Sequence, residues 1–438
     1  MKRNSVDHRT PLQGALVIHP TRPRAAIARS GEERLEEAIG LAEALDLEIR
    51  DGLIVPVRTL SPSSLFGSGK VAEIASICRE LDIDVAVVDD ALSPVQQRNL
   101  ERAWQVKVID RTGLILEIFA RRARTGEGRL QVELARLDYE RSRLVRTWTH
   151  LERQRGGFGF MGGPGETQIE ADRRLLIDRI VKLKADLADV RRTRSLQRRG
   201  RKRVPYPIVA LVGYTNAGKS TLFNRLTGAV VLAKSMLFAT LDPTLRRLPL
   251  PNGRSAILSD TVGFISDLPH ELVEAFRATL DEVREADVIL HVRDIATPDS
   301  EAQSQDVAAV LGEIGVKGDD GRRILEVWNK IDLLSQDLRE DVVARAQGRD
   351  AIAVSSLSGD GLEALLARIA DLVDEDPERT FQLDPSDGEA LAWLYRHGRV
   401  TDRRSSDDGL AITARLDSQA LGRFEQMRPD LVARMAAE

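Results

Sequence analysis

A chain of 438 residues is two to three times the usual domain size, so several domains are expected, and 42% hydrophobic residues are ample for real cores. The longest apolar runs are about six residues against the roughly 20 that a membrane helix needs. The charged start Met-Lys-Arg-Asn has no apolar stretch behind it, so a membrane segment and a secretory signal are both excluded and a cytoplasmic monomer is expected. A single cysteine, Cys78, excludes an internal disulfide and any multi-cysteine metal site.

The net charge of −4 hides a local imbalance: residues 141–203 hold 18 Lys/Arg against 7 Asp/Glu, and the rest of the chain carries about −15. Such asymmetry marks one segment as shaped for a polyanion.

Residues 1–120 read as an amino-terminal α/β domain. Short β-branched runs at 15–18, 54–57, 85–88 and 106–109 alternate with helical patterns at 32–45, 71–81 and 94–104. Within them, Phe66-Gly-Ser-Gly-Lys70 lacks the first glycine and the final Ser/Thr of a phosphate loop, so it is read as the turn that opens the next helix.

Residues 121–204 read as a basic helical hairpin. Leu130, Leu134, Leu137, Leu144 and Trp148 recur mostly at threes and fours, and Leu176, Ile180, Leu183, Leu187 and Val190 form a 4-3-4-3 heptad. The glycine-rich stretch 156–165 between them ends the first helix and reverses the chain, which predicts an antiparallel pair with Phe158, Phe160 and Met161 at its tip. A bare glycine loop is compatible with a solvated linker; aromatics flanked by Arg153, Arg155, Arg173 and Arg174 favour a stacking surface for unpaired bases. Residues 191–203 hold eight Lys/Arg and no acid, either a solvated helix end or a further polyanion contact.

A second α/β segment spans residues 205–375. Residues 375–380 read as a linker, and 381–438 as a small carboxy-terminal α+β domain with a helix at 388–396 and a strand near 410–413. The expected class is therefore α/β and multidomain, with a doubly wound, mainly parallel sheet in the central domain.

The chemistry concentrates in that central segment. The apolar strand at 208–212 runs into Gly213, Tyr214, Thr215, Asn216, Ala217, Gly218, Lys219, Ser220 and Thr221, a G-x-x-x-x-G-K-S between strand and helix. Glycines let backbone N–H groups wrap phosphates, Lys219 reaches the β and γ phosphates, and Ser220 supplies an oxygen to Mg²⁺. About forty residues on come Asp260, Thr261, Val262 and Gly263, a D-x-x-G in which Asp260 holds Mg²⁺ through water and the Gly263 N–H senses the γ-phosphate. Asn329, Lys330, Ile331 and Asp332 follow another strand, and the Asp332 carboxylate can accept from N1 and N2 of guanine, which adenine cannot offer. Ser355, Ser356 and Leu357 stand where a base-supporting loop belongs. These motifs in order make 205–375 a GTP-binding domain. Between the first two lies a polar, proline-broken stretch, Phe238, Ala239, Thr240, Leu241 and Asp242, which suits a loop ordered by a γ-phosphate; Thr240, rather than Thr244, is expected to complete the Mg²⁺ shell. Lys219, Thr240 and Gly263 are the candidate catalytic groups. Phe264 occupies the position where many GTPases carry a glutamine that orients water, so slow intrinsic hydrolysis is expected.

The motifs at 213–221, 238–244, 260–265 and 329–332 resemble those of the HflX GTPases of the Obg–HflX group. So do the glycine loop with its following Glu-Thr-Gln-Ile-Glu and the Val-Ile-Asp-Arg-Thr at 108–112, both outside the core. The resemblance implies a partner, the large ribosomal subunit and its RNA, with the hairpin tip near the peptidyl-transferase centre and with splitting of stalled ribosomes under stress. It also maps Ser220 and Thr240 as Mg²⁺ ligands, and Asn216 either as a K⁺ ligand or as a loop-stabilising amide. An assembly checkpoint without splitting is the alternative. Two departures stand out: Arg293, where a small or apolar residue is expected, and Ser356 in place of alanine.

Overall fold

The computed structural model describes residues 12–22, 29–154, 164–201, 206–229, 237–238, 244–266, 277–316, 323–373, 378–406, 409–416, 418–429, 431 and 434–435. The chain divides into two units, residues 1–248 with 257–362, and residues 249–256 with 363–438.

The first unit opens with β1 (Gly14–Thr21), α1 (Gly31–Glu43), β2 (Glu48–Pro56), α2 (Ser68–Glu80), β3 (Val85–Val88), α3 (Pro94–Trp104), β4 (Lys107–Asp110) and α4 (Arg111–Arg122). The strands form a parallel sheet in the order β2-β1-β3-β4. β1 and β3 are apolar almost throughout because helices cover both faces of a parallel sheet. The period of two then sorts the side chains. Leu16 and Ile18 face Ile74, Cys78, Leu100 and Trp104 of α2 and α3, while Val17 faces Leu41, Leu114 and Ile118 of α1 and α4. Local chemistry starts the helices where the elements change: Ser30 with Glu33, and Ser93 with Gln96, form capping boxes, and Pro94 occupies the first turn of α3. The stretch at 66–70 is the turn and first residues of α2, with Gly67 as its cap.

The hairpin follows as α5 (Gly126–Gln154) and α6 (Pro164–Arg201). Leu137, Ile180 and Leu183 are buried together, Leu130, Leu134 and Leu176 pack against them, and Glu133 pairs with Arg179 across the two helices. The two seams read from the sequence therefore meet at the base of the pair. Of the tip, 156–163 lies outside the described residues.

The central sheet is built from β5 (Ile208–Gly213), β6 (Thr244–Pro249), β7 (Ser255–Asp260), β8 (Val288–Asp294), β9 (Arg323–Asn329) and β10 (Ala351–Ala353), in the order β10-β9-β8-β5-β7-β6. From β10 to β7 every pair is parallel. Its described helices are α7 (Lys219–Thr227), α8 (Arg277–Arg284), α9 (Ser300–Glu313) and α10 (Gln336–Gln347). All four nucleotide motifs stand at carboxyl ends of these strands, where an open α/β sheet presents its ligand crevice.

The second unit contains α11 (Leu362–Val373), β11 (Glu378–Leu383), α12 (Gly388–His397), β12 (Arg399–Ser406), β13 (Gly409–Arg415), α13 (Ser418–Met427) and β14 (Arg434–Met435). Its sheet, β12-β13-β11-β14, is antiparallel and closes over Phe381, Leu394, Ile412 and Phe424, with Phe381 and Phe424 edge-to-face at 5.0 Å. Here one reading needs correction. Residues 378–380, taken as linker, are the start of β11, since Phe381 and Leu383 alternate with polar neighbours and the charged Glu378 pairs with Arg415 across the strand partner at 3.0 Å.

Among the described residues, no helix is long and apolar enough to cross a membrane.

Candidate nucleotide site

The phosphate loop is wound by its own lysine. Lys219 is 6% exposed, and its Nζ donates to the carbonyls of Gly213 at 3.0 Å and Tyr214 at 2.7 Å. Burial pulls its pKa down to about 8 against the opposing pull of Asp260. A buried ammonium is costly, and here two backbone carbonyls and the nearby Asp260 carboxylate offset part of that cost. Gly218 permits the next turn: its φ is +94°, and a Cβ there would lie 2.2 Å from Asn329 Nδ2. Asn216 is exposed at φ +60°, a region that asparagine tolerates, and its amide makes no hydrogen bond among the described residues.

The D-x-x-G segment lies against this loop. Phe264 N–H donates to the Gly213 carbonyl at 3.1 Å and Thr215 N–H to the Phe264 carbonyl at 2.7 Å. A Cβ on Gly263 would stand 2.9 Å from Thr215 Cγ2 and 3.1 Å from Lys219 Nζ, so only glycine fits where the two motifs meet. Ser220 Oγ donates to Asp260 Oδ2 at 2.8 Å, bringing together two of the oxygens expected on Mg²⁺. Val262 and Phe264 are buried in the apolar core; Thr261 is buried with its hydroxyl on the Leu211 carbonyl at 2.6 Å. The Phe264 ring therefore faces the core and offers nothing to a water.

The base-side motifs are tied to the phosphate loop by Asn329. Its Nδ2 donates to the Ala217 carbonyl at 2.8 Å, and its Oδ1 accepts from Ser356 N–H at 3.0 Å and Ser356 Oγ at 2.8 Å. The serine that departs from alanine thus adds a second hydrogen bond to the asparagine. Ser355 Oγ donates to Asp332 Oδ1 at 2.6 Å, which aims the half-buried carboxylate, and Lys330, at φ +68°, is held by Asp294 at 2.6 Å. Leu357 is exposed beside them, and Thr221 is half-buried in the first turn of α7. Phe238 is buried edge-to-face on Phe119 at 4.7 Å; Ala239, Thr240, Leu241 and Asp242 lie outside the described residues.

The other departure, Arg293, is buried between Glu326 at 2.9 Å and Glu301 at 2.8 Å. It is a neutralised charge behind the sheet end. Two strand positions before it, His291 is buried and its pKa is pushed down to about 4, chiefly by loss of solvent. With the folded value below the unfolded one, this histidine stabilises above pH 6.5 and the contribution drains as pH falls toward 4, on the order of 3 kcal/mol in all. Chemical denaturation across that interval is expected to lose stability more steeply in the parent than in His291→Gln; superimposable curves would contradict a buried neutral imidazole.

Sequence reasoning missed a polar network that joins the first sheet to this site. Tyr214 of the phosphate loop receives Arg29 at 2.8 Å and the Ser266 N–H at 2.9 Å and donates to Glu37, while Arg111 reaches Ser266. The only advance signal was Val-Ile-Asp-Arg-Thr at 108–112, whose Asp110 and Arg111 stand at a strand end.

The family models agree along the chain: a GTP-binding GTPase N-terminal region at 32–120, its middle region at 122–201, a 50S ribosome-binding GTPase at 208–330 and an HflX C-terminal domain at 341–427. A GTPase HflX of Magnetococcus marinus is 49% identical over 421 residues, covering 95% of each chain. The chain belongs to the HflX family of GTPases. The GTPase HflX of Escherichia coli is 42% identical over 91% of this chain and 93% of its own. A GDP complex of a GTP-binding protein from Sulfolobus solfataricus is 26% identical, covers 82% of this chain and 98% of its own, and superposes with a TM-score of 0.45. In this HflX-family chain the segments 213–221, 260–264, 329–332 and 355–357 lie together at the carboxyl ends of the central strands.

Proposed function

We propose that this HflX-family GTPase, loaded with GTP, engages the large ribosomal subunit and separates stalled or idle ribosomes, with hydrolysis resetting it. In this reading Lys219 and the backbone of 213–221 take the β and γ phosphates, Gly263 N–H meets the γ-phosphate, and Asp332 reads guanine. Ser220 and Asp260 would hold Mg²⁺, with Thr240 as the third protein oxygen. The fit rests on the donor set: hard oxygens with a single carboxylate, beside a lysine cradle, suit a small cation that takes its remaining ligands from phosphates. When bound, Mg²⁺ neutralises charge that develops between the β and γ oxygens. The ribosomal part is supported by one coincidence: a region matching a 50S ribosome-binding GTPase shares the chain with the helices α5 and α6, which carry most of the segment 141–203 with its 18 Lys/Arg against 7 Asp/Glu.

Co-sedimentation with separated subunits tests it. Pelleting with the large subunit in a non-hydrolysable GTP analogue, but not in GDP, and lost when 156–165 is cut back, is the expected result. Pelleting with neither subunit would sink the ribosomal role. Light scattering of joined ribosomes then divides splitting from an assembly checkpoint, since only the first predicts GTP-dependent loss of the joined particle.

Asn216 is proposed to hold K⁺ beside the phosphates, on the strength of its exposed, left-handed position in the loop. Turnover is expected to be several-fold faster in K⁺ than in Na⁺ at equal ionic strength; equal rates would remove the idea.

A further inference from the structure

Asp110 and Arg111 are adjacent residues at the junction of β4 and α4, at the carboxyl end of the first sheet, and neither belongs to the nucleotide motifs. Asp110 caps α4 through Gly113 N–H at 2.8 Å. The same carboxylate receives two groups from α5, the Tyr139 hydroxyl at 2.6 Å and the Arg143 guanidinium at 2.5 Å. The junction is thereby fastened to the base of the hairpin.

Arg111 turns the other way. It is 6% exposed and donates to Asp89 and Glu37, each at 2.5 Å, which balance its charge. It also donates to the Ser266 carbonyl at 3.0 Å and to the Ser266 hydroxyl at 3.2 Å. Ser266 stands three residues beyond Gly263. Its own hydroxyl donates to Glu37 at 3.1 Å, and its N–H to the Tyr214 hydroxyl at 2.9 Å. One buried fork thus bridges a carboxylate of α1, Glu37, a carboxylate just beyond β3, Asp89, and the backbone that follows D-x-x-G. A lysine ammonium could neutralise the carboxylates but lacks the planar fork that also meets the carbonyl.

We infer that Arg111 is a positioning residue for GTP hydrolysis: by pinning Ser266 against Glu37 and Tyr214 it fixes the Gly263–Ser266 segment on the phosphate loop, from a junction held by the hairpin. The inference rests on the GTPase reading of the site and is independent of the ribosomal partner. Loss of the pin frees the segment whose Gly263 N–H the proposed reading assigns to the γ-phosphate, while the residues assigned to the β-phosphate and base keep their own hydrogen bonds. Misplacement of about 1 Å at such a group costs up to about a hundredfold in rate.

Single-turnover hydrolysis, GDP affinity and thermal stability of the full-length protein test this with Arg111→Lys and Ser266→Ala. The second variant leaves both ion pairs of Arg111 closed, so it reports even where Arg111→Lys folds poorly. The hydrolysis rate is expected to fall about tenfold in Arg111→Lys and about threefold in Ser266→Ala, with GDP affinity within about twofold of the parent. Rates equal to the parent in Ser266→Ala and in folded Arg111→Lys overturn the inference. So does a faster rate, which would make the contact a restraint, and so does a parallel loss of GDP affinity, which would mean general collapse of the site. A parent without GTP hydrolysis would instead defeat the reading of the site itself.

Discussion

Lys219→Ala is expected to lower affinity for a GTP analogue by about a thousandfold or more and to remove measurable hydrolysis, the largest single effect in the molecule. Two losses add. The Nζ of Lys219 closes the loop on the carbonyls of Gly213 and Tyr214, and its removal leaves both acceptors buried without that donor, a cost of about 1–3 kcal/mol each. The variant also loses a buried cation of the site, whose depressed pKa reflects the cost of holding that charge out of solvent. Equilibrium binding of a fluorescent GTP analogue decides the matter. Affinity within about fivefold of the parent would remove phosphate binding from Lys219.

The second large effect concerns the base. In Asp332→Asn a donor amide replaces one carboxylate oxygen where guanine presents N1–H and the 2-amino group, so affinity for GTP is expected to fall about a hundredfold. Xanthine carries a carbonyl at that carbon, so the variant is expected to prefer the xanthosine nucleotide. The carboxylate is already oriented by Ser355 Oγ at 2.6 Å, and an amide oxygen can accept the same bond, so the loop keeps its shape and the change is confined to recognition. Competition between the two nucleotides reads it directly; unchanged preference for GTP would place guanine recognition elsewhere.

Much of this was legible from the residues because the deciding signals are local. The phosphate loop declares itself by glycines at fixed offsets after a strand, and the structure shows why: a Cβ on Gly218, at φ +94°, would collide with Asn329, and one on Gly263 would crowd Thr215 and Lys219. Apolar spacing in the hairpin was equally readable, since Leu130, Leu134, Leu137, Leu176, Ile180 and Leu183 do share one seam. Where local signals are weak, reading failed. Residues 378–380 look like a charged linker, yet backbone pairing with β13, far along the chain, makes them strand. Arg293 looked out of place until Glu301 and Glu326 met it.

The amino-acid sequence by itself thus determined the nucleotide chemistry, the alternation of strands and helices, and the polarity of the hairpin, because each depends on residues close together along the chain. Only the tertiary structure decided that Arg29, Glu37 and Arg111 meet Tyr214 and Ser266, residues separated by up to 229 positions. No periodicity encodes such a meeting. It arises because burying a guanidinium requires carboxylates and carbonyls at a fixed geometry, and only the packed sheets bring those groups to one place.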